Sequence, residues 1–239
     1  MGRHLAHLRY VLGTERRVRA TARSLRLIAE RANGPADVVA AAFGTTATPL
    51  AIAPLQLPSE LERFLALVAA EHPRNVLEIG TGVGGTLYGL AWASDPAARI
   101  LSLDLTIYPP QRRRLYRGFA ANRRRVEVWA ADSHLDSTHA EVQDHFGGGP
   151  LDLLFIDGAH AYESVSRDYA LYGPLVREGG VIAFHDIVDG PHEAVGDVPR
   201  FWREIRGELV DPVEIIESPD QPGFGIGVGR RAAATSHGR

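Results

Sequence analysis

The sequence predicts an α/β chain: a doubly wound parallel sheet that ends in an antiparallel hairpin and is preceded by a helical arm. Three observations predict it. Short apolar runs at 75–79, 99–104, 126–130, 151–156 and 180–185 alternate with helical patterns at 85–93, 110–122, 137–146 and 163–177. The first run enters a glycine-rich turn, Gly80-Thr81-Gly82-Val83-Gly84-Gly85. After Asp186 the alternation stops: a helix near 198–208 precedes apolar runs at 213–217 and 224–228. Residues 218–223 between those two runs are too few for a crossover helix, so the runs must pair antiparallel.

Ahead of the sheet, residues 4–31 carry Leu5, Leu8, Leu12, Val18, Ala22, Leu25 and Ala29 at helical spacing, and Asn33-Gly34-Pro35 stops the helix. Residues 36–57 read as a short helix and an irregular connection. Ser59 as N-cap with Glu62 at the capping-box position opens a helix that runs to Glu71. The expected organisation is an arm and lid over 1–57, a ligand-binding domain over 58–230 and a disordered tail over 231–239. A lone amphipathic helix is marginal in water, so the arm's apolar stripe needs a cover. A symmetric dimer, each arm lying across its neighbour, is the expected cover.

Composition removes several chemistries. The chain has no cysteine, which excludes disulfides, thiol nucleophiles and cysteine metal sites. All 26 basic residues are arginine, so Schiff-base chemistry, Walker-type P-loops and a lysine general base are excluded. Arginine does not deprotonate in proteins, which leaves proton abstraction to histidine, carboxylate or tyrosine. No run is long and apolar enough to cross a bilayer and no signal-peptide pattern follows Met1, so a cytoplasmic protein is expected. Eight arginines lie in 1–31 and seven in 112–125. They read as solvated helix faces, and without interleaved aromatics a nucleic-acid partner is not expected.

Ligands of such sheets bind at the carboxyl ends of the strands. The first strand ends in Glu78 and the glycine turn, where the backbone can approach a ligand and the next helix offers free N–H groups. Read as Gly80-x-Gly82-x-x-Gly85, the turn also fits a dinucleotide fingerprint. The second strand ends in Asp104, nineteen residues after Gly85, where a carboxylate can accept both ribose hydroxyls. The third ends in Asp132-Ser133-His134, the fourth in Asp157-Gly158-Ala159-His160, the fifth in His185-Asp186. Any one of these acids could be a helix N-cap. Together they make an anionic crescent suited to a sulfonium or a metal ion, and a pyrophosphate would meet Glu78 and Asp157 as like charge.

Five segments, Leu77-Glu78-Ile79-Gly80-Thr81-Gly82, Asp132-Ser133-His134, 155–163, 179–186 and Pro199-Arg200-Phe201-Trp202, resemble class I S-adenosylmethionine (SAM) methyltransferases. Within that superfamily they are similar to the cephalosporin-hydroxylase-like and macrocin O-methyltransferase-like group, over residues 56–230. The resemblance implies a Rossmann-like methyltransferase fold with SAM at Glu78, Gly80, Gly82, Asp104 and Asp132, beside Thr81, Ser133 and Asp157. It places the adenine amino group on Asp132. Several members hold a divalent cation at positions matching Asp157, His185 and Asp186, although His185 stands where that group has an acid. Mg²⁺ or Mn²⁺ is the expected ion, with metal-independent transfer left open. The resemblance makes His160 the general base, and Tyr162 is the aromatic expected in the pocket.

The implied reaction is transfer of a sulfonium methyl to a hydroxyl of a sugar or other small natural product. An NAD(P)-dependent oxidoreductase and a SAM-binding scaffold without transfer are the alternatives.

Overall fold

A computed structural model describes residues 2–46, 50–107, 109–120 and 124–233. Three helices, α1 (Gly2–Arg31), α2 (Pro35–Phe43) and α3 (Pro58–Glu71), lead into the sheet. The chain then alternates β1 (Asn75–Ile79), α4 (Gly85–Ala93), β2 (Arg99–Asp104), α5 (Arg112–Arg117), β3 (Arg125–Ala130), α6 (Asp136–His145), β4 (Leu151–Ile156), α7 (Tyr162–Tyr172) and β5 (Val176–His185). Helices α8 (His192–Val195) and α9 (Val198–Ile205) precede the hairpin strands β6 (Val210–Ile215) and β7 (Ile226–Arg230).

The strands form one seven-stranded sheet in the order β3-β2-β1-β4-β5-β7-β6. β1 to β5 are mutually parallel, and β7 runs antiparallel between β5 and β6. The expected doubly wound sheet with a terminal antiparallel hairpin is therefore present. Order reverses at β1, whose neighbours are β2 and β4, and such a switch point opens a crevice at the carboxyl ends of the strands.

Strand alternation sorts side chains into two cores. Val76, Ile100, Leu153, Phe155 and Ala183 pack with the helices of the first half, including Phe64, Leu65 and Leu87. Leu77, Leu101, Leu154, Ile182 and Phe184 pack on the other face with Val142, Val165, Phe201 and Trp202. Glu78, Ser102, Asp104 and His185 share the parity of the first set, so the polar strand ends fall on one side.

The arm packs at home. Val18, Ala22 and Leu25 are buried in the first core beside Tyr116 and Phe119, the Tyr88 hydroxyl donates to the Leu25 carbonyl at 2.7 Å, and Glu15 pairs with Arg114 of α5. This half of the stripe is covered by its own domain rather than by a neighbouring subunit. The side chains of Leu5, Leu8 and Leu12 lie outside the described residues, as does the expected tail from residue 234 on.

Several element ends differ from expectation. Leu57 is the N-cap of α3 with Pro58 in the first turn, and the Ser59 hydroxyl is buried without a hydrogen-bond partner among the described residues. Proline's fixed φ starts the helix there. Glu60, not Glu62, makes the anchoring bonds: its carboxylate accepts the Gly225 N–H at 3.0 Å and the Gln221 amide at 2.6 Å. Helix α7 stops at Tyr172, ahead of Gly173-Pro174, where a short 3₁₀ turn carries the chain into a longer β5. Helix α5 ends at Arg117, and Gly118 lies against Ala22 of the arm; residues 121–122 of the helix expected over 110–122 lie outside the described residues.

Candidate active site

The glycine turn is built by two glycines in different ways. Gly80 has φ +95, and a Cβ there would stand 1.9 Å from the Asp157 carbonyl oxygen, so only glycine lets β1 and β4 end side by side. Gly82 has φ +50 and nothing within 4 Å of where its Cβ would be; it faces open space. Its N–H donates to Asp104 Oδ2 at 2.9 Å, and the Thr106 N–H donates to Oδ1 at 2.9 Å, which fixes that carboxylate at the end of β2.

A cavity of about 470 Å³ runs along the carboxyl edge over this turn. Gly80, Gly82, Asp104, Asp132, Ser133 and Asp157 all line it. Glu78 and Thr81 do not. Glu78 is fully buried beneath the turn and accepts the Ser102 hydroxyl, and the Thr81 and Ser102 hydroxyls lie 2.6 Å apart. Burial, opposed by the Ser102 hydroxyl, holds the Glu78 carboxyl well above the usual carboxylate range. A group so held braces the turn from behind.

Past the cavity wall, β4 and β5 deliver a polar cluster. Asp157 Oδ1 and Asp186 Oδ2 lie 3.1 and 3.2 Å from His185 Nδ1. His160 Nε2 lies 3.3 Å from Asp186 Oδ2. Asp186 has φ +62, a left-handed conformation that a non-glycine residue adopts under constraint. His185 is buried, and its Nε2 has no hydrogen-bond partner among the described residues. Burial alone would lower its pKa, but Asp157 and Asp186 outweigh that and push it up to about 10.

Donor atoms of Asp157, His160 and Asp186 lie within 4.8 Å of one another. Two carboxylates and an imidazole converging at that spacing fit a hard divalent cation. The histidine grouped with the two acids is His160; His185, expected as the third ligand, sits behind them as their hydrogen-bond partner. Tyr162 is not in the cavity: its hydroxyl donates to Glu204 at 2.6 Å, and Arg200 lies over its ring.

Two further residues escaped the sequence reading. Gln56, in the connection before α3, is 3% exposed and donates from Nε2 to Asp157 Oδ2 at 2.6 Å. Asp168 of α7 is buried beside the cavity. Burial, partly offset by the Ser133 hydroxyl and His134, raises its pKa. Only Asp168 left a sequence signal, as an acid in the buried helical stripe of Val165 and Tyr172.

Comparison with known proteins bears on this site. The family described as "Methyltransferase domain" matches residues 77–187, the stretch from β1 to the end of β5. A Mycobacterium tuberculosis protein named catechol O-methyltransferase is 33% identical over 134 residues, 54% of this chain and 55% of its own length. An uncharacterized protein of Acanthamoeba polyphaga mimivirus is 29% identical over 119 residues, 47% of this chain and 51% of its own. The chain thus spans about half the length of these curated relatives. Among solved structures, the O-methyltransferase TomG from Streptomyces achromogenes, in complex with SAM, aligns with TM-score 0.56 at 20% identity, covering 84% of this chain and 91% of that one. The O-methyltransferase from Bacillus cereus aligns with TM-score 0.52 at 21% identity, covering 74% and 84%. Those two likenesses speak to the fold. The matched stretch, the sheet order and the glycine turn agree, so over residues 77–187 the chain is similar to the methyltransferase-domain family.

Proposed function

We propose that this chain catalyses O-methylation of a small-molecule hydroxyl, with SAM bound along the carboxyl edge of the sheet. One observation supports it most: Asp157 belongs both to the wall of the cavity and to the acid–imidazole cluster beyond it. A ligand over Gly80 and Gly82 would therefore end where His160 and Asp186 begin. The cavity has room where a Cβ on Gly82 would point, and Asp104 presents a carboxylate already fixed by two backbone N–H groups.

When bound there, SAM supplies an electrophilic methyl group. The protein's part is to align the acceptor and take its proton. In this reading Asp186 orients the His160 imidazole through Nε2, and the other ring nitrogen removes the hydroxyl proton. A positioned base of this kind contributes about 10²–10⁴-fold. A divalent cation held by Asp157, His160 and Asp186 would polarise the acceptor oxygen, which matters most for an aliphatic alcohol. With an ion there all three side chains would be ligands, so His160 would serve as the base only in the metal-free case and the acceptor proton would otherwise pass to water.

The relative named for catechol supports an acceptor with adjacent hydroxyls, a pattern that sugars share. We place the acceptor-facing surface at the 50–57 connection, the loop after Asp104 and the segment after Asp186.

Calorimetry with S-adenosylhomocysteine and with NAD tests the cofactor. Binding of the former alone is expected, weakened at least about tenfold in Asp104→Ala by loss of two ribose hydrogen bonds. NAD binding, or an Asp104→Ala chain with undiminished affinity, would sink the assignment. For metal, activity that survives exhaustive chelation would remove the ion; recovery on adding Mg²⁺ or Mn²⁺ would support it.

A further inference from the structure

The loop that joins β6 to β7 carries three left-handed residues in a row: Gly223 at φ +95, Phe224 at φ +61 and Gly225 at φ +84. Glycine takes that conformation freely, whereas a bulky side chain takes it only when its surroundings impose it. The chain nonetheless holds an aromatic between the two glycines. Helix α3 and the segment after β5 impose the shape. Glu60, 0% exposed, accepts the Gly225 N–H at 3.0 Å, the Gln221 amide at 2.6 Å and the Glu217 N–H at 3.2 Å. The Val188 N–H donates to the Phe224 carbonyl at 3.0 Å, and the Gly223 N–H donates to the Asp189 carbonyl at 3.0 Å.

Those bonds set Phe224 beside the acid–imidazole cluster. Val188 is two residues beyond Asp186, which is itself left-handed. The Phe224 ring leans on the imidazole of His185, with centroids 6.4 Å apart and planes 53° apart. His185 in turn meets Asp157 and Asp186 through Nδ1. The ring is half-buried, so part of it stays open to a ligand.

We infer that Phe224 is a specificity-determining residue: its ring forms a wall of the acceptor site and selects an acceptor whose hydroxyl stands next to a flat, unsaturated ring. The inference rests on the reading of Asp157, His160 and Asp186 as the place where the acceptor hydroxyl reacts. An aromatic kept at a strained backbone position, with glycine on either side, is held there for its side chain. The other side chains gathered at this end, Gln56, Asp157, His160, His185 and Asp186, are all polar. Phe224 is therefore where an apolar part of the acceptor can rest. Two aromatic rings attract beyond the area they bury, and a saturated ring of the same size buries that area without the added attraction.

The test uses the full chain loaded with S-adenosylhomocysteine, so that no methyl can transfer, and titrates two diols by calorimetry. Phenylethane-1,2-diol and cyclohexylethane-1,2-diol carry the same adjacent hydroxyls and differ in having a flat or a puckered ring. Wild type should bind the phenyl diol about three- to tenfold tighter. Phe224→Leu keeps an apolar side chain and the same backbone strain but loses the ring, so the two affinities should come within about twofold. Phe224→Tyr should keep the preference. If the leucine variant does not fold, Phe224→Gly relaxes the backbone and should likewise erase the preference. A ring that only covers His185 would lower the melting temperature of Phe224→Leu and leave the ratio of the two diols intact, which overturns the inference. So does a wild type that binds both diols equally or binds neither. The SAM reading stands or falls separately, on whether S-adenosylhomocysteine binds in the loading step.

Discussion

Gln56 and Asp157, 101 positions apart in the chain, are joined by a hydrogen bond of 2.6 Å from the amide Nε2 to Oδ2. The same amide accepts the Thr86 hydroxyl through Oε1 at 2.8 Å, which fixes which way it points. The connection ahead of the sheet is thereby tied both to the helix that follows the glycine turn and to the acid at the end of β4. Arg112 adds a second tie, donating to the carbonyls of Ala51 and Val83 at 3.0 Å each.

Gln56→Ala should therefore lower stability by about 1–3 kcal/mol, since it leaves a buried hydroxyl and a carboxylate oxygen without their partner. Urea unfolding of the two proteins gives the difference. A change under about 0.5 kcal/mol would mean that water replaces the amide without loss.

Gly80→Ala and Gly82→Ala should separate fold from binding. At Gly80 a Cβ collides with the Asp157 carbonyl, and the expected loss is about 2–4 kcal/mol. At Gly82 the side chain meets only open space, so the strain of the left-handed backbone alone costs about 1–2 kcal/mol. The Gly82 variant should melt close to wild type yet bind S-adenosylhomocysteine poorly. Equal effects of the two substitutions on melting would contradict the geometry.

Asp152 should confer an acid-sensitive contribution to stability. Its Oδ2 accepts the N–H groups of Arg74 and Asn75 at 2.8 and 3.0 Å, and its Oδ1 accepts Arg177 Nε at 2.7 Å. Burial pushes its pKa up, but those donors outweigh it and hold the carboxyl below its usual 3.8. A lowered folded-state value means stability that is present above pH 3.8 and lost as pH falls through the lowered value. Asp152→Asn should be less stable than wild type at pH 7, with the gap closing below pH 3.8. A gap that does not change with pH would assign the effect to packing.

A chain starting at Pro35 should melt several degrees lower than the full chain, because it exposes the face of α4 and α5 that Val18, Ala22 and Leu25 cover. Leu25→Ala alone should cost about 2–5 kcal/mol. Solution mass of the shortened chain beside the full one tests whether the arm also joins subunits, as we propose for its first turns. The same oligomer in both would exclude the arm as an interface.

The sheet was legible because strand alternation and a glycine turn are local patterns. So was the hairpin, whose short connection leaves no other pairing. Helix ends were less so: Pro58 and Gly173-Pro174 moved two of them, since backbone restriction outranks the cap signal at Ser59 and the helical pattern that ran on to 177. Asp104, Asp132 and Asp157 could be placed because strands end where the topology puts ligands. Glu78 could not, because whether a strand-end acid faces the cavity or lies under the turn depends on Ser102 of the neighbouring strand. Gln56 was beyond reach for the same reason. Its partners come from β4 and α4, and an irregular connection carries no period that would aim it at them.

The placing of β7 between β5 and β6 has a consequence for synthesis. His185 and Phe184 of β5 pair with Ile226 and Gly227, not with the nearer β6. A ribosome adding about 5–20 residues per second makes β5 and β6 before their common partner exists. For a few seconds both strands expose unpaired edges, and the carboxylates flanking His185 stand on an unfinished support. The nascent chain thus meets its greatest risk of edge-to-edge association late, when most of the parallel sheet is already available to stick.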